Sequence, residues 1–117
     1  MYDKMTNFKG FLVFMLSFCT LISAKETHVN FLVGSEGELR CSSSFAPPWS
    51  KIGSKSGDYR IIGLNGKKHP NWDEPRFQFS KDVNEYVIRI TDIHLNDAGK
   101  YICEGDSSTA YLVTVIR

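Results

Sequence analysis

The sequence lacks an apolar run long enough to cross a membrane as a helix. A spanning helix needs about 20 consecutive apolar residues, and the longest run, residues 11–22, has only about 12. Two lysines precede this run, and the small residues Ser23 and Ala24 follow it. This order is typical of a secretory signal peptide, so we predict that residues 1–24 are removed. A buried N-terminal helix and an uncleaved membrane anchor are the alternatives.

Cysteine is scarce, and the few cysteines define the expected covalent framework. The chain has three of them, and Cys19 lies within the predicted signal peptide. Two cysteines left in a secreted chain indicate one disulfide bond, between Cys41 and Cys103. The mature residues, 25–117, are enough for one small domain. In a domain of this size we expect the reduced form to be only marginally stable.

An excess of charge of either sign is also missing. Removal of residues 1–24 takes away two lysines and one aspartate, which leaves 12 basic and 12 acidic side chains. No basic surface for nucleic acid is indicated, so nucleic acid is not an expected partner. The chain also contains no Asn-x-Ser/Thr sequence, so no N-linked glycan is predicted.

Patterns that support catalysis or cofactor binding are missing as well. His28, His69 and His94 are scattered, and no His or Cys spacing suits zinc. No serine lies in a nucleophile elbow, and no glycine-rich loop opens a helix that could hold a phosphate. The neighbouring carboxylates Asp73 and Glu74 fit a solvated loop. We therefore expect a protein that is not an enzyme, with no catalytic residue, no metal site and no cofactor.

The sequence does contain short strand patterns separated by turns. Leu39 and Cys41 alternate with charged residues, as in a strand that is buried on one face. Asn65 and Gly66 predict a tight hairpin turn. No internal repeat and no helix longer than one turn is predicted. Strands are predicted at residues 28–33, 38–41, from Pro48 onward, and at 58–63, 76–79, 86–91, 101–103 and 111–116.

The stretch from Asp97 to Cys103 combines a turn with a strand. Asp97 and Gly99 favour the turn, and Tyr101 and Cys103 alternate in the strand that follows. A tyrosine two residues before the cysteine can bury its ring and donate its hydroxyl hydrogen to the backbone of the turn. The alternative interpretation is a chance Asp-x-Gly-x-Tyr-x-Cys sequence in an unrelated β protein.

The order Cys41, Trp49, Cys103, together with the turn and strand that start at Asp97, resembles an immunoglobulin domain. The resemblance covers residues 27–116. It implies an all-β, immunoglobulin-like sandwich of two antiparallel sheets with one inter-sheet disulfide. The additional strand and loop after Trp49 favour the variable or intermediate set over the constant set.

The resemblance also implies a structural role for most of the distinctive residues. In variable-type domains an arginine pairs with the aspartate of the turn, and Arg76 lies at the matching distance before Asp97. A guanidinium can bind a carboxylate through two hydrogen bonds, so we expect this pair. Trp49 is expected to pack on the disulfide. The structural set is thus Trp49, Arg76, Asp97, Gly99 and Tyr101, with the disulfide Cys41–Cys103.

The last predicted strand departs from antibody-like variable domains, which carry a Phe/Trp-Gly-x-Gly bulge where this chain has residues 107–111, Ser-Ser-Thr-Ala-Tyr. Antibody-style pairing is therefore not expected. The short loop after Cys41 also argues against recognition by long loops, which leaves a sheet face as the expected binding surface.

Candidate contact residues are Tyr59 and Ile61, or Arg60 and Ile62, depending on the register, and Trp72. The alternative for Trp72 is that it folds back over the sandwich edge.

These features together predict a binding module. We expect an extracellular domain that binds other proteins in cell–cell recognition or adhesion, with another immunoglobulin domain or a second copy of itself among the candidate partners. The alternatives are a soluble immune-type recognition or decoy protein, a structural matrix subunit, and a fragment or short isoform of a larger membrane receptor. The protein is expected to be secreted, or at the cell surface if the chain belongs to an anchored protein, with no membrane span after signal removal.

Overall fold

The computed structural model describes residues 25–53 and 57–117. This part of the chain forms nine strands and one 3-10 turn, Leu95–Asp97. Within it, no helix is long and apolar enough to cross a membrane. The predicted signal peptide, residues 1–24, and the centre of the turn predicted at residues 53–57 lie outside the described residues. The strands are β1 (Lys25–Leu32), β2 (Gly37–Ser42), β3 (Trp49–Ile52), β4 (Tyr59–Leu64), β5 (Lys67–Lys68), β6 (Phe77–Asp82), β7 (Glu85–Ile90), β8 (Gly99–Glu104) and β9 (Ser108–Ile116).

The nine strands form the two sheets of a β-sandwich. The larger sheet has six strands in the order β1-β9-β8-β3-β4-β5, and the smaller has three in the order β2-β7-β6. The predicted all-β, immunoglobulin-like sandwich is thereby confirmed. One pairing departs from the predicted antiparallel sheets, because β1 and β9 run parallel. Parallel neighbours need a long connection, and here most of the domain lies between these two strands.

Alternating side chains fill the space between the sheets. In β2, Leu39 and Cys41 are buried while Arg40 is exposed, as the two-residue period of a strand requires. Full burial of each large apolar side chain contributes about 1.5–3 kcal/mol to stability. The largest fully buried side chains of the core include Leu39, Trp49, Ile62, Phe77, Ile88, Ile90, Ile93 and Tyr101.

The predicted disulfide is present and joins the two sheets. It connects Cys41 of β2 to Cys103 of β8, whose Cα atoms lie 6.4 Å apart. Trp49 pairs in register with Cys103 and belongs to the same buried cluster as both cysteines. The bond therefore sits in the centre of the core, where the cysteines and the tryptophan exclude water together.

The edge of the larger sheet is formed by a short hairpin. Asn65 and Gly66 join β4 to β5 with φ angles of 54° and 76°, the left-handed conformation that an Asn-Gly hairpin turn favours. β5 has only two residues, Lys67 and Lys68, and pairs with the last two residues of β4. Residues 59–61 of β4 consequently have no strand on their outer side within the described chain.

The last strand is longer than predicted. β9 begins at Ser108 rather than at Tyr111. Its first residues pair with the end of β8, since Thr109 lies opposite Cys103 and Ala110 opposite Ile102. The cross-strand hydrogen bonds of this hairpin extend the strand into a polar segment that carries no strong strand pattern of its own.

Candidate functional site

The polar groups at the turn before β8 form hydrogen bonds with one another. Arg76 donates two hydrogen bonds to the carboxylate of Asp97, at 2.7 and 2.9 Å, and the backbone N–H of His94 donates a third at 2.8 Å. The hydroxyl of Tyr101 donates to the backbone carbonyl of Asp97. The predicted ion pair and the predicted tyrosine bond are therefore both present. Because the Arg76 and Asp97 side chains are only 14% and 5% exposed, the cluster belongs to the interior.

Asp97 is held in its ionised form despite its burial. Burial raises the pKa of the carboxyl, but the hydrogen bonds from Arg76 and from the His94 N–H outweigh this effect, so the pKa is lowered overall. The hydrogen bond to Asp97 raises the pKa of Arg76. Burial raises the pKa of the Tyr101 hydroxyl. Each of these groups therefore keeps one charge state at neutral pH, as a structural cluster should.

Gly99 opens β8 at a point where no side chain fits. Its φ is 148°, and a Cβ added there would lie 2.6 Å from the carbonyl oxygen of Ile52. Both the conformation and the close approach favour glycine. Gly99 therefore has a structural role at the start of β8, beside the Asp97 turn.

The outer face of the three-stranded sheet carries a network of ion pairs. Arg89 contacts Glu36 and Glu38, at 3.0 and 2.6 Å. Arg40 contacts Glu38 and Glu85, at 3.1 and 2.9 Å. Each exposed pair of this kind contributes little stability, but together the charges keep the face hydrated. This face therefore offers little apolar surface to a partner.

The outer face of the six-stranded sheet has a different chemistry. Successive side chains of a strand point to opposite faces, so the strand register aligns two rows across β4, β3, β8, β9 and β1. The polar members of these rows are Ser50, Lys100, and the β1 residues Glu26 and His28; Lys100 of β8 forms an ion pair with Glu26 at 2.9 Å. The rows are Ile61, Ser50, Ile102, Ala110 and Glu26, and Tyr59, Ile52, Lys100, Leu112 and His28.

Five apolar side chains of these rows form what we call the outer patch: Ile52, Tyr59, Ile61, Ile102 and Leu112. Tyr59 and Ile61 are 57% and 41% exposed, and the other three are half-buried. Between them lie the small residues Ser50 and Ala110, which their larger neighbours cover almost completely. A contiguous apolar surface with a polar rim is typical of a protein-binding site.

Ile62 does not belong to this surface, which corrects the prediction that it contacts a partner. The pairing of β3 with β4 is irregular, because Trp49 lies opposite Gly63 whereas Ser50 lies opposite Ile61. Ile62 is the additional residue at this bulge, and it is 0% exposed. A bulge re-aims the side chains around it, so Ile62 joins the core while Ile61 stays outside.

Arg60 and Trp72 lie on the other side of β4. Arg60 pairs in register with Lys51, which itself lies opposite the buried Tyr101, so Arg60 projects on the inner side of the sheet. Trp72 packs edge-on against Phe77 with ring centres 5.3 Å apart, and the ammonium of Lys51 lies 6.0 Å from the Trp72 ring. Trp72 thus folds back over the sandwich edge, the alternative arrangement considered for it.

An open cleft of about 440 Å³ lies between β4 and the loop that carries Trp72. We call it the β4 cleft. A smaller cavity of about 220 Å³ shares Arg60 and Trp72 with it and reaches Lys51 and Asp58. Tyr59 and Ile61 line the β4 cleft and also belong to the outer patch, so one partner can cover both surfaces. The lining residues are Tyr59, Arg60, Ile61, His69, Asn71 and Trp72.

Three members of the outer patch were missed by the sequence-based prediction: Ile52, Ile102 and Leu112. Each is an apolar residue at an outward position of a strand. Ile102 alternates with buried residues and Leu112 has one buried neighbour, whereas both neighbours of Ile52 are half-buried. That alternation is visible in the sequence. Their alignment into one surface depends on the register between strands that are far apart in the chain, and alternation alone does not determine that register.

No family model matches the chain, and a search of the curated proteins finds no match. The structure alone therefore defines the class, which is an all-β sandwich of two sheets joined by a disulfide and immunoglobulin-like in its general character.

Proposed function

We propose that this chain is an extracellular recognition domain of the immunoglobulin superfamily that binds another protein through the outer patch. The observation that carries the proposal is the contrast between the two outer faces. One face is covered by ion pairs between Arg40, Arg89 and three glutamates. The other presents aligned apolar side chains, with Tyr59 and Ile61 the most exposed. Aromatic and aliphatic anchors near the centre of a surface are the usual energetic core of protein interfaces.

Two further features support the family and the location. β4 and β5 extend the larger sheet in the way that distinguishes variable-type immunoglobulin domains from constant-type ones. The bond between Cys41 and Cys103 is of the kind that persists in oxidising compartments, which favours the secretory pathway and an extracellular role in recognition or adhesion.

The proposed mechanism is docking without chemistry. A standard interface buries about 800 Å² on each partner, so the partner is expected to extend beyond the outer patch to its rim. Glu26 supplies a polar group at the β1 side, and its ion-pair partner Lys100 lies within the patch, between Ile52 and Leu112. Rim charges of this type contribute to the rate and the selectivity of association more than to affinity.

The test is a screen of the secreted protein, expressed from the full chain, against a panel of cell-surface ectodomains. The Ile61→Asp variant introduces a charge into the outer patch and is expected to weaken binding at least about tenfold. Val83→Asp is the matched control, because Val83 is 80% exposed on the turn between β6 and β7, away from the patch. Equal loss in both variants, or binding that is insensitive to Ile61→Asp, would exclude the outer patch as the interface.

The same screen separates the proposed adhesion role from its alternatives. Binding that is restricted to glycans or bacteria would support a soluble immune-type recognition protein instead. Sedimentation analysis of the protein alone, at tens of micromolar, shows whether a second copy is the partner. A strict monomer would rule out homophilic adhesion and leave a different ectodomain as the ligand.

A further inference from the structure

We propose that the β4 cleft receives an acidic side chain from an extended segment of the partner polypeptide. The inference rests on the proposed function, since it specifies the chemistry of the partner beside the outer patch. It adds a site that the apolar surface does not include. The site is built from Arg60 on β4 and from His69 and Trp72 on the facing loop.

Arg60, His69 and Trp72 contribute hydrogen-bond donors to the lining, beside the Tyr59 hydroxyl and the Asn71 amide, which can both donate and accept. No ion pair includes Arg60 within the described residues, although the other guanidiniums of the sandwich all have carboxylate partners there, Arg117 excepted. The backbone N–H of Asn71 donates to Nδ1 of His69 at 3.0 Å, so the neutral ring carries its hydrogen on Nε2 and can donate it. A carboxylate has acceptors only, which makes it complementary to this set.

The indole of Trp72 supplies the third donor. Its Nε1–H is buried and has no acceptor in the described part of the chain. A buried donor without an acceptor is unfavourable, and the rest of the Trp72 side chain is only half-buried. In the structure this N–H does not reach the cleft, and the ring packs against Phe77, so the proposal includes a rotation of the ring that brings the N–H to an incoming oxygen.

The charges around the cleft favour an anion at its His69 end. Lys51 lies on the opposite side, where its ammonium donates to the backbone carbonyl of Asn96 at 2.9 Å. Among the residues that line the β4 cleft and the smaller cavity, Asp58 is the acidic one, and it lines the smaller cavity near Lys51. Because Asp58 would repel a carboxylate in the smaller cavity, the proposed position of the carboxylate is in the β4 cleft, between Arg60 and His69.

The unpaired edge of β4 favours a polypeptide over a small free acid. Residues 59–61 have no strand on their outer side within the described chain, because β5 pairs only with Gly63 and Leu64. An exposed edge offers backbone groups to an added extended segment. Tyr59 and Ile61 lie beside this edge, so an apolar residue next to the acidic one would pack on them. The expected ligand sequence therefore places an acidic residue beside an apolar one.

The test is an NMR titration of the ¹⁵N-labelled protein with the blocked peptide N-acetyl-Leu-Glu-Leu-amide. We expect saturable shifts of the Trp72 indole N–H, assigned with Trp72→Phe, and of the Arg60 side-chain N–H. The peptide with Gln in place of Glu is expected to bind about tenfold more weakly, because it lacks the charge-assisted bonds. Arg60→Gln is expected to have a similar effect, whereas Arg89→Gln removes the same charge from the opposite sheet and should have none.

Several results would overturn the inference. These are equal affinity for the Glu and Gln peptides, unchanged binding by Arg60→Gln, no shift at Trp72, and equally tight binding of acetate, which would indicate a free anion. The ectodomain screen reports on the proposed function separately. Ectodomain binding that depends on Ile61 but not on Arg60 would remove the cleft site and leave the recognition role intact.

Discussion

Arg76 and Asp97 are the residues whose removal should matter most for stability. Their two hydrogen bonds are short, and both side chains lie almost entirely inside the domain. In such a pair the loss of one partner leaves the other charge buried and uncompensated, which is more harmful than the loss of both. The pair therefore stabilises the turn that leads into β8.

The Arg76→Ala variant is expected to lose about 3–5 kcal/mol of unfolding free energy, because the Asp97 carboxylate stays buried with one backbone donor. The double variant with Asp97→Ala should lose less than the sum of the two single changes. Urea unfolding measures all of these values. Arg89→Ala, which breaks exposed pairs only, should lose less than about 1 kcal/mol. A coupling energy near zero in the double-mutant cycle would contradict the buried-pair description.

The lowered pKa of Asp97 predicts a dependence of stability on pH. A carboxyl whose pKa is lower in the folded than in the unfolded state stabilises the fold at any pH above its unfolded pKa, which for aspartate is about 3.9. That contribution is lost as the pH falls through the folded pKa, which lies lower. Unfolding free energies measured between about pH 6 and pH 2 should therefore decline in the wild type. Asp97→Asn should decline less steeply, and parallel curves for the two proteins would contradict the assignment.

At the level of strands, alternation predicts which segments form strands, and the geometry of the whole fold decides how they pair. The pattern of Leu39 and Cys41 is enough to place β2, and Asn65-Gly66 is enough to place the β4–β5 hairpin. Alternation does not reveal the bulge that buries Ile62, because a bulge changes the period of two by one residue. The parallel contact of β1 with β9 is likewise set by the closure of the whole sandwich. The candidate site depends on the bulge and on the register of β3, β8 and β9, so the sequence indicated Tyr59 and Ile61 only as one of two alternatives and did not indicate their neighbours across the sheet.

The hairpin between β6 and β7 contains a residue, Val83, whose backbone strain can be relieved by a substitution. Val83 has a φ of 57°, and a β-branched side chain is unfavourable in that left-handed conformation. Val83→Asn should raise the unfolding free energy by about 1 kcal/mol, since asparagine tolerates this conformation. The matched control is Val33→Asn, another exposed valine whose φ is not positive. An equal gain at both positions in urea unfolding would show that polarity rather than backbone strain is responsible.

For the molecule as a whole, the two faces of the sandwich differ in their surface chemistry. The disulfide and the Asp97 cluster hold the interior, the three-stranded sheet presents charge, and the six-stranded sheet presents the outer patch with the β4 cleft at its edge. A partner approaching from the charged side would have to displace hydration from five side chains. Approach from the other side would cover apolar surface directly, which is the orientation that the proposed function implies.

The disulfide is expected to supply a large share of the stability of the whole domain. It closes a loop with a sequence separation of 62 residues, which on the chain-entropy model contributes about 4 kcal/mol. The Cys41→Ala/Cys103→Ala variant should show a matching fall in unfolding free energy, together with loss of packing around Trp49. The wild type measured with reductant is the parallel experiment. A change below about 1 kcal/mol in both would mean that the core is sufficient without the bond.

The parallel contact of β1 and β9 also determines how the domain responds to tension. A pull applied at residues 25 and 117 draws the two strands in opposite directions along their common axis, so all eight residue pairs between them are strained together. In an antiparallel hairpin pulled at its open ends, the hydrogen bonds break one after another. Forced unfolding depends on the height of the unfolding barrier, and sharing the strain over many bonds raises that barrier. Single-molecule pulling should therefore need more force at residues 25 and 117 than across the β6–β7 hairpin.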